Sequence, residues 1–458
     1  MLYKTDGTTA VTNDGAKIVA ELLVRHPAAK MMVSMAESQE EDCGDGVTTT
    51  MLLCGSLLIE ANNLFRKGLH PLTLVDGYEL SLQTARLQIE SDLRKCDDKK
   101  LLEVAKTSLS GKVADTALGF FPPLIVKALN TVLDNRGEAS AQHVSMFKSG
   151  TGSIRDSRLV NGIILRRRVL MDNLPNDLRD AKVVCLNGEL KIREMSRDAE
   201  MKITSADDLD SFIEAEKYRK EEISRSILES GARVVLCSGE IDKDVLHMLC
   251  QKSVLVVEGL DSSELRNASG ATGARIVESP LDIEESDLGQ CGSASWERKP
   301  STNEVEDVIR IEGCPNPSVV TIEIGGAGET GTEEVIRGIH DSLRSTSLAL
   351  NEYVLPGAGS IHSRIAHAVR LASEKQSGRE RLAMEAFARA METIPSTLVE
   401  NAGGEPLDRI LELRSTSLEE SPVGISEDGK KWVVERVWHP RSVLSLIHIS
   451  EPTRPIRI

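Results

Sequence analysis

Apolar residues from Ala16 to about Asp97 recur at helical spacing, with Leu57, Ala61 and Leu64 on one face. Gly68 stops that run and Pro71 lies just beyond it, so the region reads as a helical bundle. Ahead of it, residues 8–12 carry a short strand pattern ending at Asn13-Asp14-Gly15, a turn signal that leaves Asp14 exposed at a strand end. By itself that tripeptide also fits a plain hairpin turn. A further helical stretch through Leu101-Leu102-Glu103-Val104-Ala105 runs into a polar break at residues 107–112, before the apolar Leu124-Ile125-Val126. Lys112 stands in that break and reads, from spacing alone, as a solvated lysine.

Near residue 160 the period changes. Residues 159–165 start a strand-rich region, and further candidate strands follow at 182–186, 233–237, 254–257, 275–277 and 319–322. Helical stretches between them predict an α/β domain. The longest such stretch runs from 205 to 230, with Asp207 and Asp208 in its first turn and Gly231 after its end. Its middle, residues 214–222, is almost wholly polar and is expected to project into solvent. Helical spacing returns through residues 333–341 and breaks at Pro356-Gly357-Ala358-Gly359. His340 and Asp341 are adjacent on that helix, so they point in different directions and make a poor relay pair. Helices resume from about 362 to 413, and Gly424-Ile425 with Trp432-Val433-Val434 suggests a hairpin before Trp438-His439-Pro440. The order helical, α/β, helical predicts an α/β domain inserted into an outer helical one, with both chain ends in the outer domain.

Composition narrows the class. At 458 residues the chain is long enough for several domains, and its 40% hydrophobic and 28% charged content is that of a globular protein. A formal net charge of −16 disfavours nonspecific binding to nucleic acid or anionic membrane, and 3% aromatic residues leave few platforms for stacking bases. No nucleic acid partner is expected. Eight cysteines are scattered without a Cys-x-x-Cys pair, several inside apolar runs, and read as reduced core thiols. No run approaches the ~18 apolar residues that span a bilayer and no basic-then-apolar leader is present, so a cytoplasmic protein without membrane contact is expected.

The chemistry concentrates at Glu41-Asp42-Cys43-Gly44-Asp45-Gly46-Val47-Thr48-Thr49-Thr50, which opens an apolar helical run. Glycines let backbone N–H groups approach an anion, and the first turn of a helix offers unpaired donors at its positive dipole end. A phosphate fits there. Asp45 opposes it, since two like charges about 4 Å apart repel by roughly 4 kcal/mol at an effective dielectric of about 20. A Mg²⁺ shared by carboxylate and phosphate removes the objection. The simpler alternative is a Gly-Asp-Gly turn in which Thr48 or Thr49 caps the helix.

Together, Thr12-Asn13-Asp14-Gly15-Ala16, His26-Pro27-Ala28-Ala29-Lys30-Met31 and residues 44–50 resemble the group II chaperonins, the thermosome and eukaryotic cytosolic chaperonin family. The resemblance continues through Leu69-His70-Pro71, residues 107–112, Gly273-Ala274-Arg275-Ile276-Val277, Ile339-His340-Asp341 and Glu400-Asn401-Ala402-Gly403, and covers about residues 8 to 445. It implies a mostly helical equatorial ATPase domain (1–97 and 359–445), a small intermediate domain (98–162 and 326–358), and an inserted α/β apical domain (163–325) with a helical lid near 193–222. It implies an ATP-dependent chaperone subunit that stacks with other chaperonin subunits in a double ring and encloses unfolded protein clients. By position, Asp45 would coordinate Mg²⁺, and Gly44, Gly46, Thr48, Thr49 and Thr50 would hold the phosphates of ATP. Asp341 and Asp14 would orient the attacking water, Lys112 would sense the γ-phosphate, and Gly357 would lie near the nucleoside.

Four departures from the family pattern stand out. The chain starts just before Val11, without the family's N-terminal strand and Leu-Gly-Pro phosphate loop. Ile336 stands where the family has Glu, Ala358 interrupts a glycine triplet, and His439 replaces a carboxylate expected on the ribose. Missing terminal strands predict poor assembly. Residues 446–458, with Pro452, Pro455, Arg454 and Arg457, continue no earlier pattern and read as a non-native tail. The rival reading is a binding or scaffold subunit on the same fold with weak or no ATPase. A small-molecule kinase would need a Gly-rich loop with Lys and Ser or Thr, which is absent.

Overall fold

A computed structural model describes residues 2–3, 9–10, 15–22, 24–113, 115–191, 206–300, 305–326, 329–351, 353–416, 418 and 420–444. Asp14, residues 193–205 of the expected lid and the tail 446–458 lie outside the described residues. The chain divides into two compact units, one formed by residues 1–126 with 329–458 and the other by residues 127–328.

The first unit opens with a strand pair, β1 (Leu2–Tyr3) and β2 (Thr9–Ala10), followed by helices α1 (Gly15–Ala20), α2 (Pro27–Cys43), α3 (Val47–Arg66) and α4 (Pro71–Asp92). The two His-Pro pairs of the sequence are helix starts. His26 and His70 each accept a backbone N–H from the residue two positions on through Nδ1, at 3.2 Å, and the proline that follows fills the first helical position. A short strand β3 (Arg94–Lys95) leads to α5 (Asp98–Leu109), whose N-cap Asp97 accepts the Lys100 N–H at 2.8 Å. The helices α6 (Asp115–Leu118) and α7 (Phe121–Arg136) follow.

The second unit carries strands β4 (Val144–Lys148), β5 (Arg158–Val160), β6 (Ile163–Arg166) and β7 (Asp177–Leu186), then α8 (Ala206–Ser230), β8 (Val234–Cys237), α9 (Lys243–Gln251), β9 (Leu255–Val257), α10 (Ser262–Thr272) and β10 (Ile276–Val277). It closes with β11 (Gly289–Pro300), β12 (Val305–Glu312) and β13 (Val320–Ile324). The main sheet has seven strands in the order β6-β12-β11-β7-β8-β9, with β10 beside β7. β7, β8 and β9 run parallel, and their Val183–Leu186 and Val234–Cys237 segments are fully buried, which is why they read as unbroken apolar runs. The expected strand at 319–322 exists as β13, but it pairs with β4 and β5 in a separate three-stranded sheet. The expected solvent-projecting helix is α8. Residues Glu214, Ala215, Lys217, Tyr218 and Arg219 are exposed, whereas from Ile223 onward the helix is packed through Ile223 and Ile227.

The chain then returns to the first unit through α11 (Glu329–Asn351), β14 (Tyr353–Pro356), α12 (Ser360–Ser373), α13 (Glu380–Met391), α14 (Thr393–Asn401) and α15 (Pro406–Arg414). The predicted hairpin is β15 (Val423–Ile425) with β16 (Lys431–Val433), and β17 (Trp438–Pro440) and α16 (Arg441–Leu444) end the described chain. Leu53, Leu57, Ala85 and Ile89 of α3 and α4 pack with Ile361, Ile365, Phe387 and Met391 of α12 and α13, so residues from both halves of the sequence share one core. β14 joins β17 and β3, which sets Leu355 opposite His439. Among the described residues no helix is long and apolar enough to cross a membrane.

Candidate nucleotide site

α2 ends and α3 begins across Gly44-Asp45-Gly46, and both glycines take left-handed backbone, with φ +67° at Gly44 and +83° at Gly46. Neither position has room for a side chain: a Cβ on Gly44 would meet the Arg344 Cβ at 2.9 Å, and one on Gly46 the Val443 carbonyl oxygen at 2.9 Å. Gly46 is the N-cap of α3 and has no side chain to cap it, so the first-turn N–H groups face outward. The alternative of a Thr48 or Thr49 cap is therefore corrected, since both lie inside the helix. Thr48 is exposed and Thr49 half-buried, while Thr50 is buried and its N–H bonds the Gly46 carbonyl at 2.9 Å. Gly15 approaches this turn, where an added Cβ would lie 2.4 Å from Thr48 Oγ1.

Asp45 is held from both sides. Its Oδ1 accepts the Gly46 N–H at 2.9 Å and its carbonyl accepts from Gln39 Nε2 at 2.9 Å. Asp341, near the middle of α11, is 3% exposed, and its Oδ2 accepts from Lys112 Nζ at 3.0 Å. The same ammonium lies 3.6 Å from Asp45 Oδ1. Lys112 sits in the turn after α5, against Gly338, whose added Cβ would be 3.4 Å from the Lys112 Cβ. Burial works against its charge, but Asp45 and Asp341, followed by Glu40, outweigh burial and hold its pKa above the ordinary lysine range. The solvated-lysine reading is thereby corrected.

Gly357 is buried in the turn after β14, where a Cβ would lie 2.7 Å from His439 Cδ2. His439 feels Asp45: burial lowers its pKa and the Asp45 charge pulls the other way. His362 is buried behind it, with its pKa pushed down to about 4 by burial and then by His439. Both imidazoles are thus neutral near pH 7. Lys112, Asp45 and Asp341 are in one cluster, and Asp45 connects through His439 toward Gly357.

This donor set fits a metal–nucleotide. Outward N–H groups at a helix start accept phosphate oxygens, glycines without room for a Cβ allow close approach, and Asp45 offers a hard oxygen ligand. The profile of the TCP-1/cpn60 chaperonin family matches residues 1–448. The chain belongs to that family. It is 35% identical over 422 residues to a thermosome subunit of Methanopyrus kandleri, covering 91% of this chain and 77% of the relative. It is 35% identical over 435 residues to the thermosome subunit beta of Desulfurococcus mucosus, covering 93% and 86%. An open-state monomer of a group II chaperonin from Methanococcoides burtonii superposes with a TM-score of 0.61 at 25% identity, covering 87% of this chain and 95% of that one. As a chaperonin, the chain is an ATP-dependent molecular chaperone that works in a ring complex.

Sequence reasoning missed several residues that shape the chaperonin site. Gln39 is 4% exposed and fixes the Asp45 peptide, and a glutamine one turn before the helix end was the available hint. Arg344, one turn after Asp341, donates to the Glu40 carbonyl at 3.0 Å and ties α11 to α2. Glu40 itself adds negative field at Lys112.

Proposed function

We propose that this chain hydrolyses ATP with Mg²⁺ at the turn spanning residues 44–50, as one subunit of a double ring that encloses unfolded protein clients in the cytoplasm. The observation that carries the reading is the Lys112 ammonium held between Asp45 and Asp341 beside the uncapped start of α3. Eight free cysteines support a reducing compartment. Gly44 and Gly46 let the backbone approach the phosphates, Thr48 and Thr49 line the first turn, and Thr50 anchors it from the core side. Asp45 would hold Mg²⁺, which when bound offsets the phosphate charge. Asp341, with Asp14, orients the attacking water, and Lys112 senses the γ-phosphate. Gly357 bounds the nucleoside side. Within the chain, residues 1–97 and 359–445 act as the equatorial part, 98–162 and 326–358 as the intermediate part, and 163–325 as the apical part, with its lid in 193–222.

Phosphoryl transfer needs mainly positioning and charge compensation, so the two carboxylates should separate experimentally. Asp45→Ala removes a metal ligand, and both nucleotide affinity and turnover should fall. Asp341→Ala should leave Mg-ATP affinity near unchanged while hydrolysis slows by roughly 10²-fold or more. Calorimetry for affinity and single-turnover hydrolysis check this, and unchanged hydrolysis in Asp341→Ala would sink the assignment.

A second reading, a chaperonin-fold binding or scaffold subunit with weak or no ATPase, is favoured by one observation. A neutral, half-buried His439 stands beside Gly357 where a carboxylate is expected to hold the ribose. Tight ATP binding by the unaltered chain with no turnover would select it.

A further inference from the structure

We propose that Lys112 is the resident counter-ion of the candidate site: its ammonium lies on Asp341 and on Asp45, the carboxylate that a metal would need, so a divalent ion enters only with a triphosphate that gives the lysine another partner. The proposal rests on the site reading above and adds an order of binding to it. Lys112 Nζ stands 3.0 Å from Asp341 Oδ2 and 3.6 Å from Asp45 Oδ1, so one ammonium serves carboxylates from two distant parts of the chain. Asp341 is almost fully buried, and a buried carboxylate without a cation is costly. Mg²⁺ takes oxygen ligands at about 2.0–2.1 Å, and with the ammonium 3.6 Å from Asp45 Oδ1 the two cations compete for that carboxylate and repel each other.

The lysine is built to move aside. Its Cβ is confined near Gly338 on α11, while the four-carbon stem leaves the ammonium free to change partner. The Lys112 side chain retains 24% exposure, so the head borders solvent and can meet an entering anion. Phosphate oxygens replace the carboxylates as its acceptors, which releases Asp45 for the metal.

The test is Mn²⁺ binding to the full chain without nucleotide, read by the electron paramagnetic resonance of free Mn²⁺ and by calorimetry. The unaltered chain should bind Mn²⁺ weakly, and Lys112→Met should bind it at least tenfold more tightly. Adding Asp45→Asn to Lys112→Met should abolish the gain, and Lys112→Arg, which keeps a cation, should remain weak. Thermal melts verify folding, with Lys112→Gln as the substitute if Lys112→Met does not fold. Equal Mn²⁺ affinity in the unaltered chain and the neutral variant overturns the proposal, as does Lys112→Arg binding as tightly as Lys112→Met. Mn-ATP affinity of Asp45→Asn separates the two levels: a fall there without a Lys112→Met gain sinks the lysine's role alone, whereas no change removes the site reading and this proposal with it.

Discussion

At the scale of single residues, backbone strain sits next to the candidate site. Ala358 has φ +54°, a left-handed conformation that its Cβ makes costly, and its carbonyl accepts the Ile425 N–H at 2.9 Å, which holds the turn in place. A left-handed alanine costs about 1–2 kcal/mol, while glycine gives back about 0.5–1 kcal/mol through its freer unfolded chain. Ala358→Gly should therefore stabilise the first unit by about 0.5–1 kcal/mol, seen as a melting temperature raised by roughly 2 °C. A lowered melting temperature would show that the alanine methyl packs more usefully than its strain costs. The departure from the family's glycine triplet was legible in the sequence, but its physical content, a strained φ, was not.

Among the elements, α8 combines two behaviours in one helix. Its stretch at residues 214–219 is mostly exposed, but Lys220 Nζ reaches Glu216, Asp242 and Asp244 at 3.0, 3.1 and 2.9 Å. Those hydrogen bonds, the one to Asp244 foremost, raise the lysine's pKa and pin α8 to the start of α9. Trypsin should cut first after Lys217 or Arg219, before any site between 223 and 237, and Lys220→Ala should hasten that cleavage. Peptide mapping of a short digestion checks it, and first cleavage beyond Ile223 would contradict the division of the helix. The polar run at 214–222 predicted the exposed half. The point where packing takes over was set by the acidic start of α9, too far along the chain for helical periodicity to register.

On the scale of the whole molecule, each of the two units carries its own buried charge lock. In the first, Glu392 is 7% exposed and accepts paired bonds from Arg370 at 2.5 and 2.6 Å and from Arg414 at 2.7 and 2.6 Å. Burial pushes its pKa up, but Arg414 and Arg370 together bring it below the ordinary glutamate value. In the second, the fully buried Asp307 accepts from Arg298 Nε at 3.0 Å and from the Val169 N–H at 2.7 Å. Calorimetry should resolve at least two transitions, with Glu392→Ala lowering one and Asp307→Ala the other, each by about 3 kcal/mol of stability. Because the folded pKa of Glu392 lies below the unfolded value of about 4.3, its stabilisation is full above that pH and is lost as pH falls through the folded pKa. The gap between the unaltered chain and Glu392→Ala should therefore be widest near neutrality and close on acidification below about pH 4, and a gap independent of pH would contradict the charge lock.

Short-range physics was readable along the chain. The His-Pro helix starts, the Gly-Asp-Gly turn into α3, the apolar strand runs at 182–186 and 233–237 and the terminal hairpin all depend on residues within a few positions of each other. The sequence by itself determined these elements and, through three ordered motifs, the family. Strand β11 escaped, because Gly289-Gln290-Cys291-Gly292-Ser293-Ala294-Ser295 has little of the β-branched character that marks a strand, and its ladder with β7 and β12 supplies what propensity lacks. The convergence of Lys112 with Asp341, 229 positions away, and with Asp45 was decided only by the tertiary structure. Nothing local to Lys112 distinguishes it from a solvated lysine; α11 packed on α5 brings its ammonium to two carboxylates whose charges hold it there.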